Sequence, residues 1–216
     1  MSPVDAKLVE HVKAVLSAPR PWVITQVGEP VLRQRAAPYD GQLSEDVLCE
    51  LLDAMHEHLP GVGVGLAAPQ IGIPLALAVM EDRADVTPVL ATARERTPQP
   101  ALDLINPVIT PLDSEQRTFY EGCLSVTGFT AVVSRHRRVR LSAQDRTGRS
   151  YELELAGWPA RIAQHETDHL NGILYLDRAE MRSLSTAAAY ERLWVEPTPS
   201  AAASALGFGL LRHGSR

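Results

Sequence analysis

Two histidines and a glutamate near the end of the chain have the spacing of a metal-dependent hydrolase. His165 and His169 are four residues apart, and Glu166 directly follows the first histidine. On a helix, positions i and i+4 lie on one face, so both imidazoles can reach one metal ion. A glutamate beside such a ligand can take a proton from water that the metal activates. The spacing therefore indicates hydrolysis at a metal centre.

The segment that carries these histidines has the pattern of a buried helix. One helical stripe contains Trp158, Ile162, His165 and His169. The histidines thus continue an apolar face that should point inward. Pro159 suits a first helical turn, and Gly172 suits the position just past a helix end. The alternative is a pair of core histidines satisfied by backbone groups, but two inward histidines with a glutamate favour the metal site.

A third metal ligand must come from elsewhere, and the chain has two cysteines. Cys49 lies among apolar residues at helical spacing, so it is most simply a small apolar filler. Cys123 follows Gly122 between short β-like segments, and glycine lets the backbone approach another group closely. A thiolate and two imidazoles leave one tetrahedral position open, as in a catalytic site. Such ligands tolerate iron(II), cobalt or nickel as readily as zinc.

A glycine-rich segment over residues 61–72 is the third unusual feature. Alone, it predicts a loop that leads into an apolar strand near 75–80. No lysine follows and the G-x-G-x-x-G spacing is absent, which excludes a phosphate loop. Its significance is that it occurs together with the cysteine and histidine segments.

Together the three segments resemble the peptide deformylases, whose motifs are G-x-G-L-A-A-x-Q, E-G-C-x-S and H-E-x-D-H. These motifs lie here at residues 63–70, 121–125 and 164–172, in the family's order. The resemblance covers roughly residues 22 to 185 and is far more specific than a lone H-E-x-x-H. Gly128-Phe129 and the segment 157–162 are most similar to the mitochondrial-type branch.

The resemblance implies a catalytic role for each matching residue. The metal ligands would be Cys123, His165 and His169. They would hold one divalent ion, iron(II) by resemblance, with nickel, cobalt or zinc able to substitute. Glu166 would be the general base and then the general acid. The oxyanion would accept hydrogen bonds from the Gln70 side chain and from the backbone N–H of Leu124.

Substrate recognition is predicted partly from the family and partly from the residues themselves. The substrate-binding positions would be Val64, Gly65, Glu121, Trp158 and Ile162. We expect a largely apolar slot for a methionine side chain, lined by Val64, Leu124, Trp158 and Ile162. Thr127 stands where the family usually has proline. Thr130 stands where many bacterial members have a peptide-binding arginine, so charge-based recognition should be weak and kcat/KM should change little with salt.

Three functions are compatible with these residues. The first is removal of the formyl group from the N-terminal methionine of newly synthesised polypeptides; amide hydrolysis follows from the residues, and the formyl group from the resemblance alone. The second is a metallopeptidase or another metal-dependent deacylase, which the cysteine ligand and Gln70 disfavour. The third is a catalytically idle paralogue that binds a peptide or the ribosome, which the presence of Glu166 and all three ligands disfavours.

Composition predicts one domain, and the predicted helices and strands indicate an α+β class. The resemblance implies a peptide-deformylase-like fold, with antiparallel β-sheets around a central metal-binding helix. The 216 residues are 45% hydrophobic, enough to bury one core. We expect an N-terminal extension over 1–20, a catalytic domain over 21–195 and a flexible tail over 196–216. No apolar run is long enough for a membrane span, and the N-terminus lacks a signal-peptide core. With two cysteines, a cytoplasmic enzyme is expected.

The net charge of −5 argues against DNA binding and general nucleic-acid binding. The exception is a local basic run over residues 135–140, which on a strand would alternate between faces. A solvated face is the favoured interpretation. The alternative is a transient contact with ribosomal RNA, which would suit an enzyme that acts on nascent chains.

Hydrophobic periodicity and turn residues predict the remaining elements. Helices are expected near 44–59 and 184–195. An inserted loop is expected over 81–101. Strands are expected near 75–80, 103–109, 138–145, 150–156 and 173–176.

Overall fold

Two antiparallel sheets provide the framework of the structure, a computed structural model that describes residues 4–210. The strands are β1 (Gly65–Ala67), β2 (Leu77–Asp82), β3 (Gln99–Pro111), β4 (Gln116–Gly122), β5 (Phe129–His136), β6 (Arg138–Gln144), β7 (Ser150–Ala156) and β8 (Ala179–Thr186). A five-stranded sheet has the order β1-β2-β3-β6-β7, and a three-stranded sheet has the order β4-β5-β8. All strand pairs in both sheets are antiparallel.

One helix lies between the two sheets. The helices are α1 (Ala6–Ser17), α2 (Glu45–His58), α3 (Pro88–Arg94), α4 (Gly157–Leu170), α5 (Ala187–Leu193) and α6 (Ser200–Leu206). Helix α4 contacts strands of both sheets. The predicted α+β class with a central metal-binding helix is therefore confirmed. Over residues 4–210, no helix combines the length and the apolarity that crossing a membrane would require.

Glycines mark both boundaries of α4. Gly157 has φ +63°, and a Cβ there would lie 2.5 Å from the Glu95 backbone oxygen. Gly172 has φ +73°, and a Cβ there would lie 2.7 Å from the Arg33 backbone oxygen. Positive φ favours glycine, and the close backbone contacts leave no room for a side chain. These two contacts fix the helix against the chain at each end.

Three predicted elements differ from the structure. Residues 173–176 do not form a strand; a 3₁₀ turn covers Tyr175–Asp177, where the Asp177 side chain accepts a hydrogen bond from the Leu174 N–H at 2.8 Å. The predicted inserted loop contains α3, which Thr87 caps and in which Pro88 occupies the first position. The predicted helix near 184–195 begins only at Ala187, because residues before it pair with β5.

The N-terminal extension is part of the packed core. Asp5 caps α1 by accepting hydrogen bonds from two backbone N–H groups. Val12 is fully buried in a cluster that includes apolar residues of α2. Apolar residues on either side of it also pack there: Leu8, Val9, Val15 and Leu16. The predicted amphipathic face thus docks onto the domain.

The tail differs from the predicted flexible segment. Helix α6 lies within it, and Ala202, Ala203 and Phe208 are buried against Tyr120 and Val132. Small alanines allow this short helix to pack closely on the three-stranded sheet. Residues 211–216 of the predicted tail lie outside the described residues.

The prediction of a solvated face holds for part of the basic run: Arg138 and Arg140 are exposed, but Arg135 is buried. Arg135 is 4% exposed and bridges Glu121 and Asp168, each at 2.7 Å. Strand β5 directs this side chain towards α4, which carries Asp168. Arg137 pairs with Glu95 and Glu115. Arginines that are close together in the sequence therefore bind different acidic residues in the fold.

Candidate metal centre and active site

The three predicted ligands converge in the structure. One donor atom from each of Cys123, His165 and His169 lies within 4.8 Å of the others. The Cys123 Sγ is 3.2 Å from the His169 Nε2. The two imidazoles come from successive turns of α4, and their ring centroids are 5.0 Å apart. A thiolate and two imidazoles at this separation can bind one divalent ion and leave a position open.

A tight turn after β4 positions Cys123. The strand ends at Gly122, and the Val126 N–H donates to the Cys123 carbonyl at 3.0 Å. The Gln26 side chain binds the same turn by donating to the Leu124 carbonyl at 3.0 Å. Thr127, which replaces the family's usual proline, donates from its hydroxyl to that carbonyl at 3.3 Å. Side-chain hydrogen bonds therefore hold the turn.

Glu121 supports His165 from behind. One of its carboxylate oxygens lies 3.1 Å from the His165 Nδ1, which directs the opposite nitrogen of the ring towards Cys123. The carboxylate also accepts hydrogen bonds from Arg135 and Arg161. Burial disfavours the charged carboxylate, but the two arginines outweigh this and hold the pKa of Glu121 well below its usual range. Its oxygens thus bind groups of the protein, and the contact of Glu121 with substrate stays a prediction.

Glu166 is placed differently from the other carboxylates of the site. It is 4% exposed, and its Oε2 is buried without a hydrogen-bond partner within residues 4–210. Burial raises the pKa of Glu166 to about 7. A carboxyl group with such a pKa can both accept and release a proton near neutral pH.

Gly65 lies directly against Glu166. A Cβ at this position would lie 2.6 Å from the Glu166 carboxyl carbon and 2.8 Å from its Cγ. Such distances are too short for a Cβ with Glu166 in its present position, so a larger residue in strand β1 would displace the carboxyl group of the proposed base. The sequence interpretation related Gly65 to the substrate backbone and missed this contact.

Gln70 is fixed at the edge of the metal centre. Its carbonyl oxygen accepts a hydrogen bond from the Ala67 N–H at 2.8 Å, which orients the amide nitrogen. That nitrogen lies 3.6 Å from the Cys123 Sγ and 3.3 Å from the Ser125 Oγ. An oriented amide donor beside the ligand set has the arrangement needed to stabilise an oxyanion.

A cavity of about 480 Å³ opens onto the metal centre. Its lining contains the predicted residues Val64, Gly65, Gln70, Glu121, Cys123, Leu124, Trp158, Ile162, His165 and Glu166. His169 does not line it but is in reach of Cys123. Trp158 and Ile162 project from α4 upstream of the ligands, as their spacing predicted. The structure thus brings apolar side chains, the ligands and the proposed base to one cavity.

Comparison with known proteins identifies the family. A sequence model described as polypeptide deformylase matches residues 22–185. The chain belongs to this family. Peptide deformylase 1 of Streptomyces coelicolor is 51% identical over 204 residues, which are 94% of each chain. The human mitochondrial peptide deformylase is 39% identical over 181 residues, 80% of this chain and 74% of that one. Mitochondrial-type members are thus among its relatives, as are bacterial ones of higher identity.

Solved structures agree with this assignment. A class I type b peptide deformylase from Acinetobacter baumannii, with Met-Ala-Ser bound, has a TM-score of 0.65 and 35% identity. The match covers 73% of this chain and 97% of that one. The deformylase fold predicted from the sequence is therefore confirmed.

The donor set of this deformylase fits a divalent ion. Sulfur and nitrogen donors converge at one point, and Glu166, which lines the same cavity, has a buried carboxyl oxygen that finds no hydrogen-bond partner among residues 4–210. Both observations are typical of a metal centre that acts on water. Family membership and the Cys-His-His group together indicate a metal ion.

Sequence reasoning missed several residues of the deformylase site. Arg161 is buried, binds Glu121 and also donates to the Val133 carbonyl at 3.1 Å. Asp168, within the histidine motif, accepts hydrogen bonds from Arg135 and Arg178 at 2.7 Å. Arg161 could have been found from its position, because it lies one helical turn before His165 on the inward face of α4. Arg94 from α3 also lines the cavity, and nothing in the sequence pattern indicated this.

Proposed function

We propose that this chain uses the centre at Cys123, His165 and His169 to remove the formyl group from the N-terminal methionine of new polypeptides. As a member of the polypeptide deformylase family, it is a metal-dependent hydrolase that acts on a linear amide bond. The observation that carries the proposal is the convergence of the three ligands with the buried carboxyl group of Glu166. An idle paralogue would not require this base beside an intact ligand set.

The roles of the catalytic groups follow from their positions. When bound, a divalent ion supplies Lewis acidity that activates water and polarises the formyl carbonyl. Glu166 takes a proton from the attacking water and then gives it to the departing amine as the carbon–nitrogen bond breaks. Gln70 and the Leu124 N–H donate to the carbonyl oxygen as negative charge develops on it. The products are formate and a peptide with a free amino group.

We assign Glu121 a positioning role in place of the predicted substrate contact. Its oxygens hold His165, Arg135 and Arg161, and this keeps the imidazole at the angle that the centre needs. Gly65 is assigned two roles: its main chain, which lines the cavity, contacts the substrate, and its missing side chain leaves room for Glu166.

The resident metal is proposed to be iron(II). Thiolate and imidazole donors bind this ion, and the family resemblance favours it over nickel, cobalt and zinc. A thiolate at a water-accessible iron(II) centre is open to oxidation. Protein purified without oxygen should contain about one iron per chain and lose activity in air, while nickel- or cobalt-loaded protein should be more durable. Active protein without any metal would contradict this.

The cavity is proposed to select methionine. Val64, Leu124, Trp158 and Ile162 give it an apolar lining that an unbranched thioether side chain can fill. Each methylene lost should cost about 0.8 kcal/mol of binding.

We also propose that the enzyme works in the cytoplasm on chains that leave the ribosome. A transient ribosome contact through residues 135–140 would use the exposed Arg138 and Arg140, because Arg135 is buried.

Formate release from a matched set of peptides tests the proposed function. The peptides should carry formyl-Met, formyl-norleucine, formyl-Ala, formyl-Asp or acetyl-Met at the first position. We expect turnover in the order Met and norleucine, then Ala, then Asp, and little release of acetate. Equal rates for formyl-Met and formyl-Asp would contradict the apolar cavity. Hydrolysis of acetyl-Met or internal peptide bonds without formate release would indicate a different deacylase or a peptidase.

A further inference from the structure

Arg94 lies in the cavity wall with part of its hydrogen-bonding capacity unused. Its Nη2 is 3.4 Å from the hydroxyl of Tyr190, and its guanidinium lies 5.2 Å from the ring centroid of Trp158. Its Nε is buried without a hydrogen-bond partner, and no carboxylate within residues 4–210 pairs with it. A buried donor without an acceptor is costly unless a ligand provides one.

The residues on either side of Arg94 are engaged in ion pairs. Glu95 accepts two hydrogen bonds from Arg137, at 2.9 and 3.0 Å. Arg96 binds both oxygens of Asp82, at 2.7 and 2.9 Å. Arg94 is thus the member of this trio whose charge remains available to a ligand.

The segment that carries Arg94 is fixed to the metal helix. The Trp158 N–H donates to the Glu95 carbonyl at 3.2 Å, and Gly157 leaves room for the Glu95 backbone. Trp158 lines the same cavity as the metal ligands. Because the backbone is held here and the guanidinium lies against Tyr190 and Trp158, Arg94 loses less freedom on binding an acceptor than an unrestrained side chain would.

The rim of the cavity near Arg94 fits a polypeptide chain. Val62 and Phe129 line the cavity and are among the exposed large hydrophobic residues of the structure, at 43% and 46% exposure. Tyr190 and Ala187 of α5 complete the lining. Exposed apolar residues around a cation suit a segment with both side chains and main-chain oxygens.

We propose that Arg94, together with the Tyr190 hydroxyl, binds an oxygen of the peptide downstream of the formyl-methionine. In a long polypeptide this is a main-chain carbonyl, and in a short peptide it is the terminal carboxylate. The inference rests on the proposed function. It also replaces the prediction of weak charge-based recognition, which considered only Thr130. That residue lines the cavity from β5, whereas Arg94 reaches it from α3.

Steady-state kinetics on Arg94→Gln, Arg94→Lys and Tyr190→Phe test the inference. The substrates are formyl-Met-Ala-Ser with a free carboxylate and the same peptide as an amide. For Arg94→Gln we expect KM to rise about tenfold for the acid and about threefold for the amide, with kcat nearly unchanged. Arg94→Lys should recover part of the loss for the acid. The wild-type kcat/KM for the acid should fall with salt, and that of Arg94→Gln should not.

Arg192→Gln is the matched control, because it removes the same charge from an exposed position outside the cavity lining. Binding of the product Met-Ala-Ser, measured by calorimetry, gives a readout that does not depend on turnover. Unchanged KM and Kd in Arg94→Gln, or equal changes in Arg192→Gln, would overturn the inference. If Arg94→Gln raised KM for the free-carboxylate peptide and not for the amide, the assignment of a main-chain carbonyl in long polypeptides would be overturned. If the wild type released no formate, the proposed function would be contradicted. Binding of Met-Ala-Ser would still test the role of Arg94.

Discussion

Glu121 determines how His165 is presented to the metal centre. Its carboxylate stays ionised because the positive charges of two buried arginines stabilise it. It holds the imidazole through Nδ1. Partners that orient a metal ligand typically contribute 10- to 100-fold to metal affinity. A carboxylate so occupied has little capacity left for a peptide.

For Glu121→Gln we therefore predict metal affinity reduced by about 10- to 100-fold, because the amide cannot compensate the arginines or act as a charged acceptor for His165. Competition with a calibrated chelator measures the affinity. The control is Glu115→Gln, which alters a partly exposed carboxylate that pairs with Arg117 and Arg137. Unchanged metal affinity with a raised KM would instead support the predicted substrate contact.

The ligands could be predicted at the residue scale, but their supports could not. Histidines at i and i+4 share a face of any helix, so His165 and His169 follow from local geometry. Arg135 is remote in sequence from Asp168, and only the packing of β5 on α4 joins them. Charge patterns in the sequence favoured a solvated strand, since burying an arginine is costly unless two carboxylates meet it.

At the scale of elements, close contact between β1 and α4 sets the position of the proposed base. Gly65 lets the strand pass Glu166 without a side chain between them. In Gly65→Ala the new methyl group would displace the Glu166 carboxyl group, because the side chain can move more easily than the strand. We predict kcat reduced by roughly a hundredfold with a small change in melting temperature.

Gly63→Ala is the matched control for that prediction. A Cβ at Gly63 would lie 3.6 Å from a Leu124 methyl carbon, an ordinary contact. Its kcat should fall far less than that of Gly65→Ala. Similar losses in both variants would mean that the glycine-rich segment acts through its flexibility and not through the space it leaves for Glu166.

Asp103 joins three elements away from the active site. Its carboxylate on β3 binds His56 of α2 at 3.0 Å and Arg146 of the β6–β7 turn at 2.7 Å. Although burial opposes ionisation, these hydrogen bonds lower the pKa of Asp103 to about 2. Because the folded pKa lies below the unfolded value of about 4, the stabilisation is complete above pH ~4 and is lost as the pH falls towards 2.

We predict that wild-type protein loses about 2 kcal/mol more free energy of unfolding than Asp103→Asn between pH 5 and pH 2. Denaturant titrations of chelator-treated samples measure this difference without a contribution from the metal. Parallel pH profiles for the two proteins would show that Asp103 does not join the elements through its charge.

The elements with strong periodicity were predictable, and those decided by distant contacts were not. Apolar spacing and turn residues located α2 and the β6–β7 hairpin to within a residue or two. Residues 173–176 have the composition of a strand, but Asp177 caps a 3₁₀ turn there. Helix α6 depends on small alanines that meet the three-stranded sheet, a contact that no local pattern reveals.

Across the whole molecule, the N-terminal helix stabilises the catalytic domain. Val12 is completely buried in the cluster that contains residues of α2 and β2. Truncation in Val12→Ala should lower the free energy of unfolding by about 2 kcal/mol, from the lost apolar contact and the cavity left behind. Val23→Ala is the control, since Val23 is 93% exposed and should change stability by less than about 0.5 kcal/mol. Equal effects would mean that α1 does not dock in solution.

The central claim is that Glu166 moves the proton at a centre held by Cys123, His165 and His169. The most direct measurement is formate release from formyl-Met-Ala-Ser by wild type and Glu166→Gln at equal metal content. Glutamine keeps the size of the side chain but removes the base, so we predict full metal occupancy and turnover reduced by roughly two to four orders of magnitude. A metal-loaded Glu166→Gln protein that keeps most of its kcat would contradict the account.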